Sequence, residues 1–277
     1  MIRTFVLTVC ILSWCMISDA QKLTVMTYNI RLDIAIDSIN QWPNRTHKVF
    51  DLIHKYNPDV LGVQEALHHQ LQDLLKGLPE YTYVGVGRDD GKTKGEYSAI
   101  LLKRDRFKIT DQKTFWLSET PEVPGSKSWD AAITRVSTYA KVYDKKLKKD
   151  YFLFNTHFDH IGVLAREKSA ELIKTKIKDI TGDLPVILTG DFNCEKSERA
   201  YPAITASTDK QLYDSRPENN TQGTFCTFKV GVPCKAIDYI FYSAGWKVDN
   251  YTIITDNDGK YYPSDHLPVM TEFSFKK

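Results

Sequence analysis

The sequence predicts an α/β domain of the α+β kind: a four-layer sandwich in which two packed, mainly antiparallel β-sheets are flanked by helices. Strand-like runs outnumber helical runs, amphipathic helices occur between some of the strands, and no repeat, low-complexity tract or linker divides the chain. Sheets that are apolar on one face and helices that are apolar along one stripe bury those surfaces by packing in layers. We therefore expect one domain over residues 21–277.

Residues 1–20 have the pattern of a signal peptide. Arg3 gives a positive start, an almost wholly apolar run extends from residue 5 to residue 16, and the sequence SDA at 18–20 suits cleavage before Gln21. The apolar run is too short to span a bilayer. We therefore expect export to the periplasm or the cell exterior, with no stable membrane anchor. A buried N-terminal strand and a lipoprotein modified at Cys15 are the alternatives.

Composition bounds the class of protein. The 42% of hydrophobic residues is ordinary for a folded globular chain, which excludes a disordered chain and a disulfide-dense miniature scaffold. The 37 basic and 35 acidic residues leave a formal net charge of +2. A dedicated nucleic-acid binder would usually be clearly basic, although a local basic groove stays open. We expect a monomer.

The first half of the domain begins strand, helix, strand, helix. Residues 23–28 are rich in β-forming side chains, and 45–56 carry apolar residues at helical spacing before Asn57-Pro58. A short buried strand at 60–63 and an amphipathic helix at 67–78 follow. Further strands are predicted at 81–86, 98–103, 107–116, 134–143 and 151–156.

The second half contains the clearest helix. Residues 163–180 have one apolar stripe, and Gly182 is a stop signal. Strands are predicted at 185–188, 236–242, 247–254 and 267–275. Among the cysteines after residue 20, Cys226 and Cys234 lie eight apart, a spacing that a hairpin could close, which leaves Cys194 as the odd thiol. The spacing does not suit zinc.

Polar side chains follow many of the predicted strands. Each of them has a simple alternative role as a turn or cap residue. Six such strand ends in one domain are harder to explain by turns alone, and strand ends are where α/β folds place ligands. The polar residues at these ends are Asn29, Gln64, Glu65, His157, Asp159, Asp191, Asn193, Asp238, Asp265 and His266.

Six motifs give these positions a specific meaning. They are TYNIR (27–31), VQE (63–65), NTHFDH (155–160), TGDFN (189–193), IDYIF (237–241) and SDHLPV (264–269). In this order, and across nearly all of residues 21–277, they resemble the motif series of the endonuclease/exonuclease/phosphatase superfamily of metal-dependent phosphoesterases. Segments 42–45, 87–97 and 118–132 resemble a secreted bacterial branch of it. The resemblance implies two packed sheets within helical layers, as the layer argument does.

The resemblance also implies the roles of the metal site and the water. Glu65 would be the principal ligand of Mg²⁺, or of Mn²⁺, with Asn29 and Asp265 near it. His266 would take a proton from the attacking water or orient it, and the Asp238 carboxylate would pair with that imidazole. Asp191 and Asn193 would orient the water and hold the phosphate in the transition state.

Four further residues would contact or support the substrate. His157 would face the phosphate as a hydrogen-bond donor or a leaving-group acid, with Glu96 as its support; a solvent-facing loop glutamate is the alternative for Glu96. Arg135 would bind a nonbridging oxygen, or else form a surface ion pair. Asp159 would support the phosphate site or only brace its loop. Trp42, Trp116 and Trp129 flank loops near the expected site mouth, where they would stack on substrate or pack on the core.

The sequence therefore predicts an exported, metal-dependent hydrolase of phosphate esters. The substrate stays open among nucleic acid, nucleotide, lipid headgroup and sugar phosphate. A secreted endonuclease is the second hypothesis, since Arg88, Lys92 and Lys94 lie in a glycine-rich loop that could reach a phosphate backbone. A non-catalytic binding module is the third hypothesis. However, chemically competent residues occupy the motif positions that such a module would have lost.

Overall fold

Two six-stranded sheets form the centre of the protein. The computed structural model describes residues 22–206 and 210–276, so the predicted signal peptide lies outside the described residues. In spatial order the first sheet contains β11 (Trp246–Ile253), β12 (Val269–Phe275), β1 (Leu23–Asn29), β2 (Val60–Ala66), β4 (Tyr97–Lys103) and β3 (Tyr81–Val84). The second contains β5 (Phe107–Trp116), β6 (Val136–Asp144), β7 (Lys149–His157), β8 (Val186–Asp191), β10 (Asp238–Ser243) and β9 (Leu212–Asp214).

Each sheet is mainly antiparallel but holds one parallel pair of neighbours. In the first sheet this pair is β1 and β2, and in the second it is β7 and β8. The other neighbouring strands pair antiparallel. Parallel neighbours end at the same edge of their sheet, so each pair brings two carboxyl-terminal strand ends together.

Helices cover the outer faces and complete the four layers. α1 (Trp42–Tyr56) and α2 (His68–Gly77) pack on the first sheet, and α3 (Val163–Thr181) and α4 (Ala200–Thr205) pack on the second. A third apolar cluster fills the space between the sheets. Full burial of an aliphatic side chain there contributes roughly 1.5–3 kcal/mol. The predicted sandwich is confirmed. Among the described residues, no helix has the length and apolar character needed to cross a membrane.

The structure differs from the sequence prediction in the start of α1 and in three additional short elements. α1 begins at Trp42 rather than residue 45, with Pro43 in its first turn, where a missing N–H costs nothing. The 3₁₀ helix Ala35–Asn40, α4 and β9 are additional. Each of these three additional elements has six residues or fewer, which is too short to show a hydrophobic period.

Candidate active site

Polar side chains from both parallel pairs meet at one edge of the sandwich. Asn29 ends β1, and its amide Nδ2 donates one hydrogen bond to Glu65 Oε1 and one to Asp191 Oδ2, each at 3.0 Å. Asn29 Oδ1 accepts from the backbone N–H of Arg31 at 3.0 Å. The amide nitrogen therefore faces the carboxylates. Asn29 lies at the expected place, where its amide positions two carboxylates. Its role as a metal ligand stays a prediction.

Local backbone irregularity directs several side chains into this edge. The register of β2 against β4 shifts between Val63 and Ala66, and Glu65 within that bulge has a φ of 62°. Arg31 and Asn193 also have left-handed backbones, with φ of 58° and 47°. Such conformations are costly for residues other than glycine and concentrate at functional sites. A bulge re-aims a side chain, which is how Glu65 turns towards the site.

A buried amide joins the two sheets beneath this edge. Asn155 on β7 donates from Nδ2 to the carbonyl oxygens of Val63 and Ala99, at 2.8 Å each. Its Oδ1 accepts from Gln64 Nε2 at 2.6 Å and from Thr189 Oγ1 at 3.0 Å. All four partners are buried or on buried strands. The network fixes the position of β2 and β4 relative to β7 and β8.

His266 and Asp238 form a buried pair. His266 Nδ1 lies 2.9 Å from Asp238 Oδ2, and His266 Nε2 lies 3.7 Å from Asp191 Oδ2. Burial alone would lower the pKa of His266, but the carboxylates of Asp238 and Asp191 outweigh it and hold that pKa well above the ordinary value. Burial, reinforced by the nearby Asp238 carboxylate, raises the pKa of Asp191 to about 7.

Three of these residues could hold a metal ion. One ligand atom from each of Glu65, Asp191 and His266 lies within 4.8 Å of the others. Asp265, which is also buried, lines the same cavity. Converging carboxylates, of which Asp191 is buried and Glu65 partly buried, form with an imidazole nitrogen a donor set that suits a divalent cation such as Mg²⁺ or Mn²⁺. Asp191 and His266 thus join Glu65 as possible ligands, and the other two expected ligands lie beside them, Asn29 bonded to Glu65 and Asp265 on the cavity wall.

His157 is buried with its Nε2 directed towards the carboxylate and amide groups of the site. Asn193 Nδ2 donates to the Phe158 carbonyl oxygen at 3.0 Å and lies 3.1 Å from His157 Nε2. Asp191 Oδ2 lies 3.4 Å from the same imidazole nitrogen. Burial lowers the pKa of His157 well below the ordinary value, and the nearby Arg135 and Arg88 guanidinium groups lower it further. A neutral His157 with one N–H is suited to donate a hydrogen bond.

Glu96 is buried at the site, but its nearest partner is an arginine. Glu96 Oε2 accepts from Arg88 Nη1 at 2.6 Å, whereas its distance to His157 Nδ1 is 3.9 Å. The second distance is too long for a hydrogen bond. Glu96 is therefore not the solvent-facing loop residue of the alternative interpretation. Its support of His157 is electrostatic in this structure, because the carboxylate lies between that imidazole and two guanidinium groups.

Arg135 and Asp159 have distinct places. Arg135 is 5% exposed, and its Nε and Nη1 are buried without a hydrogen-bond partner among the described residues. Its Nη2 lies 3.1 Å from His160 Nδ1. The side chain is thus a buried cation with unused donors at the cavity wall, not a surface ion pair.

Asp159 accepts hydrogen bonds from four backbone N–H groups, those of Ala132, Ile133, Ile161 and Gly162. Its carboxylate braces two loops.

A cavity of about 530 Å³ opens over these groups. It is lined by eight of the eleven predicted site residues, namely Glu65, Glu96, Arg135, His157, Asp191, Asn193, Asp265 and His266. Asn29, Asp159 and Asp238 support it from behind. The catalytic and ligand roles of all eleven stay predictions, but the structure brings them to one place.

The cavity also has walls that the sequence interpretation missed. The additional lining residues include Arg31, Asp37, His160, Phe225, Thr227 and Phe228. Arg31 lies within the TYNIR motif, Thr227 and Phe228 belong to the loop that the predicted Cys226–Cys234 disulfide closes, and Phe225 directly precedes that loop. That disulfide is present, and Cys194 is a buried free thiol. Phenylalanines rather than tryptophans supply the aromatic wall, since Trp42 and Trp116 are buried elsewhere.

Comparison with known proteins identifies the family. The profile described as the Endonuclease/Exonuclease/phosphatase family matches residues 26–266. The chain belongs to this family. A solved structure of an endonuclease/exonuclease/phosphatase family protein from Bacteroides thetaiotaomicron is 39% identical, covers 93% of this chain and 99% of that chain, and superposes with a TM-score of 0.88.

Two other similar members of the endonuclease/exonuclease/phosphatase family have more specific names. A mannosyl-6-phosphatase from Bacteroides thetaiotaomicron is 38% identical, with 91% of this chain and 100% of that chain covered and a TM-score of 0.85. Nocturnin from Drosophila melanogaster is 25% identical over 84% of this chain. The match spans only 42% of that nocturnin. Family members are phosphoesterases and nucleases, so the chain is a hydrolase of this family.

Proposed function

We propose that this protein is a divalent-metal-dependent phosphoric ester hydrolase whose substrate is a sugar phosphate. The observation that carries the proposal is the convergence of Glu65, Asp191 and His266, with Asp238 behind them and Arg135 on the wall of the same cavity. Sugar phosphate is supported by the mannosyl-6-phosphatase, which is similar along nearly its whole length. A cavity of about 530 Å³ is of the size that holds a small molecule.

Phosphate ester hydrolysis needs an in-line water, neutralisation of charge on the nonbridging oxygens, and help for the leaving oxygen. A bound Mg²⁺ or Mn²⁺ would act as a Lewis acid that neutralises phosphoryl charge. The carboxylates of Glu65 and Asp191 would hold the cation, which leaves His266 Nε2, with the ring fixed through Nδ1 by Asp238, to orient the water or accept its proton, while Asn193 helps to hold the water in line. The Arg135 donors bind a nonbridging oxygen. Neutral His157, whose Nε2 lies near Asp191 and Asn193, donates a hydrogen bond to the phosphoryl group or the leaving oxygen.

Export is part of the proposal. Residues 1–20 act as a signal peptide in this view, and the mature protein begins at Gln21 and works in the periplasm or outside the cell. N-terminal sequencing of the protein recovered from those compartments tests it. A protein found only inside the cell with Met1 in place would contradict export.

Hydrolysis of nucleic acid is the second candidate, because curated relatives carry the names nocturnin and probable RNA exonuclease. Within the glycine-rich loop, however, Arg88 is engaged with Glu96 at 2.6 Å and lies 3.7 Å from Asp89. This arginine is therefore committed to the protein itself rather than presented to a phosphate backbone.

One experiment separates the two candidates. Purified residues 21–277 with Mg²⁺ are assayed for phosphate release from mannose 6-phosphate and for nicking of plasmid DNA, with the His266→Ala protein as the blank. We expect phosphate release that is lost in the variant. Nicking that is lost in the variant, without phosphate release, would instead establish a nuclease. Neither activity in a folded protein would contradict both.

A further inference from the structure

A second arginine, outside the predicted site, faces the same cavity. Arg31 follows β1, lines the cavity, and has a side chain that is 25% exposed. Its Nε and Nη2 donate to the two carboxylate oxygens of Asp37, at 2.9 Å each. Its remaining nitrogen, Nη1, lies 3.7 Å from Glu65 Oε2 and makes no hydrogen bond within residues 22–206 and 210–276. One nitrogen of this guanidinium is thus available beside the candidate metal site.

The position of Arg31 is fixed before any substrate binds. Its backbone N–H donates to Asn29 Oδ1, and its carbonyl oxygen accepts from Arg45 Nη2 at 2.7 Å. The bidentate contact with Asp37, whose side chain is 8% exposed, holds the guanidinium plane. A donor held in this way loses little conformational entropy when it binds an anion.

Arg31 and Arg135 occupy different walls of the cavity. Arg31 lies among Asp37, Glu65 and Asp265. Arg135 lies within 4 Å of Glu96 and Asp159. The cavity therefore presents two separate guanidinium groups, each with donors left over, in addition to the residues that fit a divalent cation.

The number of these cationic groups matches one kind of phosphate ester. At neutral pH a phosphate monoester carries a charge close to −2 and three acceptor oxygens. A diester carries −1 and only two nonbridging oxygens. One contact each from the cation site, Arg135 and Arg31 would serve all three oxygens of a monoester, whereas one of the three would have no partner on a diester.

We propose that Arg31, held by Asp37, is a specificity-determining residue that makes this site prefer phosphate monoesters over diesters. The inference rests on the proposed phosphoesterase function and narrows its substrate class. The arginine contacts the third nonbridging oxygen, which a diester replaces with a second ester linkage.

The test compares Arg31→Met with Arg135→Met on two chromogenic substrates, p-nitrophenyl phosphate and bis(p-nitrophenyl) phosphate. Both are assayed at Mg²⁺ concentrations that saturate each variant, because the Arg31 guanidinium also lies near Glu65. We expect Arg31→Met to lower the ratio of monoester to diester kcat/KM about tenfold or more, the effect of one charged hydrogen bond. Arg135→Met should lower kcat/KM for both esters and leave that ratio nearly unchanged.

Two further variants protect the test against a folding defect. Asp37→Asn leaves Arg31 in place but weakens its anchor, so the ratio should fall by less than in Arg31→Met. Arg31→Lys keeps the positive charge but lacks the paired N–H donors of the guanidinium group, so it should recover part of the preference for the monoester. Product inhibition by inorganic phosphate, whose dianion HPO₄²⁻ also offers three unprotonated oxygens, should weaken in Arg31→Met.

Several results would overturn the inference. They are a wild-type preference for the diester, or equal losses on both esters in Arg31→Met with inhibition by phosphate unchanged. In these cases the proposed phosphoesterase function would stand. A folded wild-type protein that hydrolyses neither ester would instead remove the proposed function and the inference together.

Discussion

The buried Asn155 side chain allows a quantitative test of how the two sheets are joined beneath the site. Replacement by alanine removes four hydrogen bonds, to Val63, Ala99, Gln64 and Thr189. A hydrogen bond contributes ~1 kcal/mol net, so we expect Asn155→Ala to lower the free energy of unfolding by about 4 kcal/mol. That is a large fraction of the stability of a typical domain.

A matched control variant alters the same hydrogen-bond network but should lose much less stability. Thr189→Val removes one hydroxyl, whose single hydrogen is shared between Asn155 Oδ1 and the carbonyl oxygen of Phe154, and should cost about 1 kcal/mol. Urea unfolding followed by circular dichroism measures both variants, with equal m-values required for the comparison. If Asn155→Ala cost no more than Thr189→Val, the network would not be what joins the sheets. Turnover should also fall in Asn155→Ala, because β7 carries His157.

Three other predictions concern the site. Asp191→Ala, His157→Ala and His266→Ala should each abolish most turnover with little change in circular dichroism, and near wild-type activity in any of them would show that its assignment is wrong. Removal of bound metal with EDTA should abolish hydrolysis and added Mg²⁺ should restore it, whereas full activity in EDTA would contradict metal dependence. Asp159→Ala leaves four backbone N–H groups without their acceptor, so the loops around the cavity should loosen; KM should rise more than kcat falls, and an unchanged KM would count against the bracing role.

Much of the fold could be predicted because its elements are long and periodic. α3 has a regular apolar stripe, and β4 and β8 are short runs buried on both faces, so their sequences carry the pattern that packing selects. Strand pairing is different, since it depends on contacts between distant residues. That β1 pairs with β2 and also with β12 is not visible in any local pattern.

The members of the site could be predicted better than their contacts. Glu65, Asp191 and His266 stand at strand ends or next to strands, and motif order identifies them. The direction of the Asn29 amide depends on its hydrogen bond from the Arg31 backbone N–H, which no local sequence pattern specifies. Glu96 pairs with Arg88 because the glycine-rich loop folds back on itself, with the Arg88 backbone N–H donating to the Glu96 carbonyl oxygen. Such contacts are set by loop conformation, and loops have no periodic sequence pattern from which that conformation could be predicted.

The same topological feature produces both the outer layers and the site. Parallel neighbouring strands cannot be joined by a hairpin and need a crossover connection, usually a helix. α1 crosses from β1 to β2, and α3 crosses from β7 to β8. Each crossover covers the outer face of its sheet and places two carboxyl-terminal strand ends side by side. Because the two sheets pack face to face, the four ends meet, as the bond from Asn29 to Asp191 shows. A functional site between the sheets therefore follows from having one parallel pair in each.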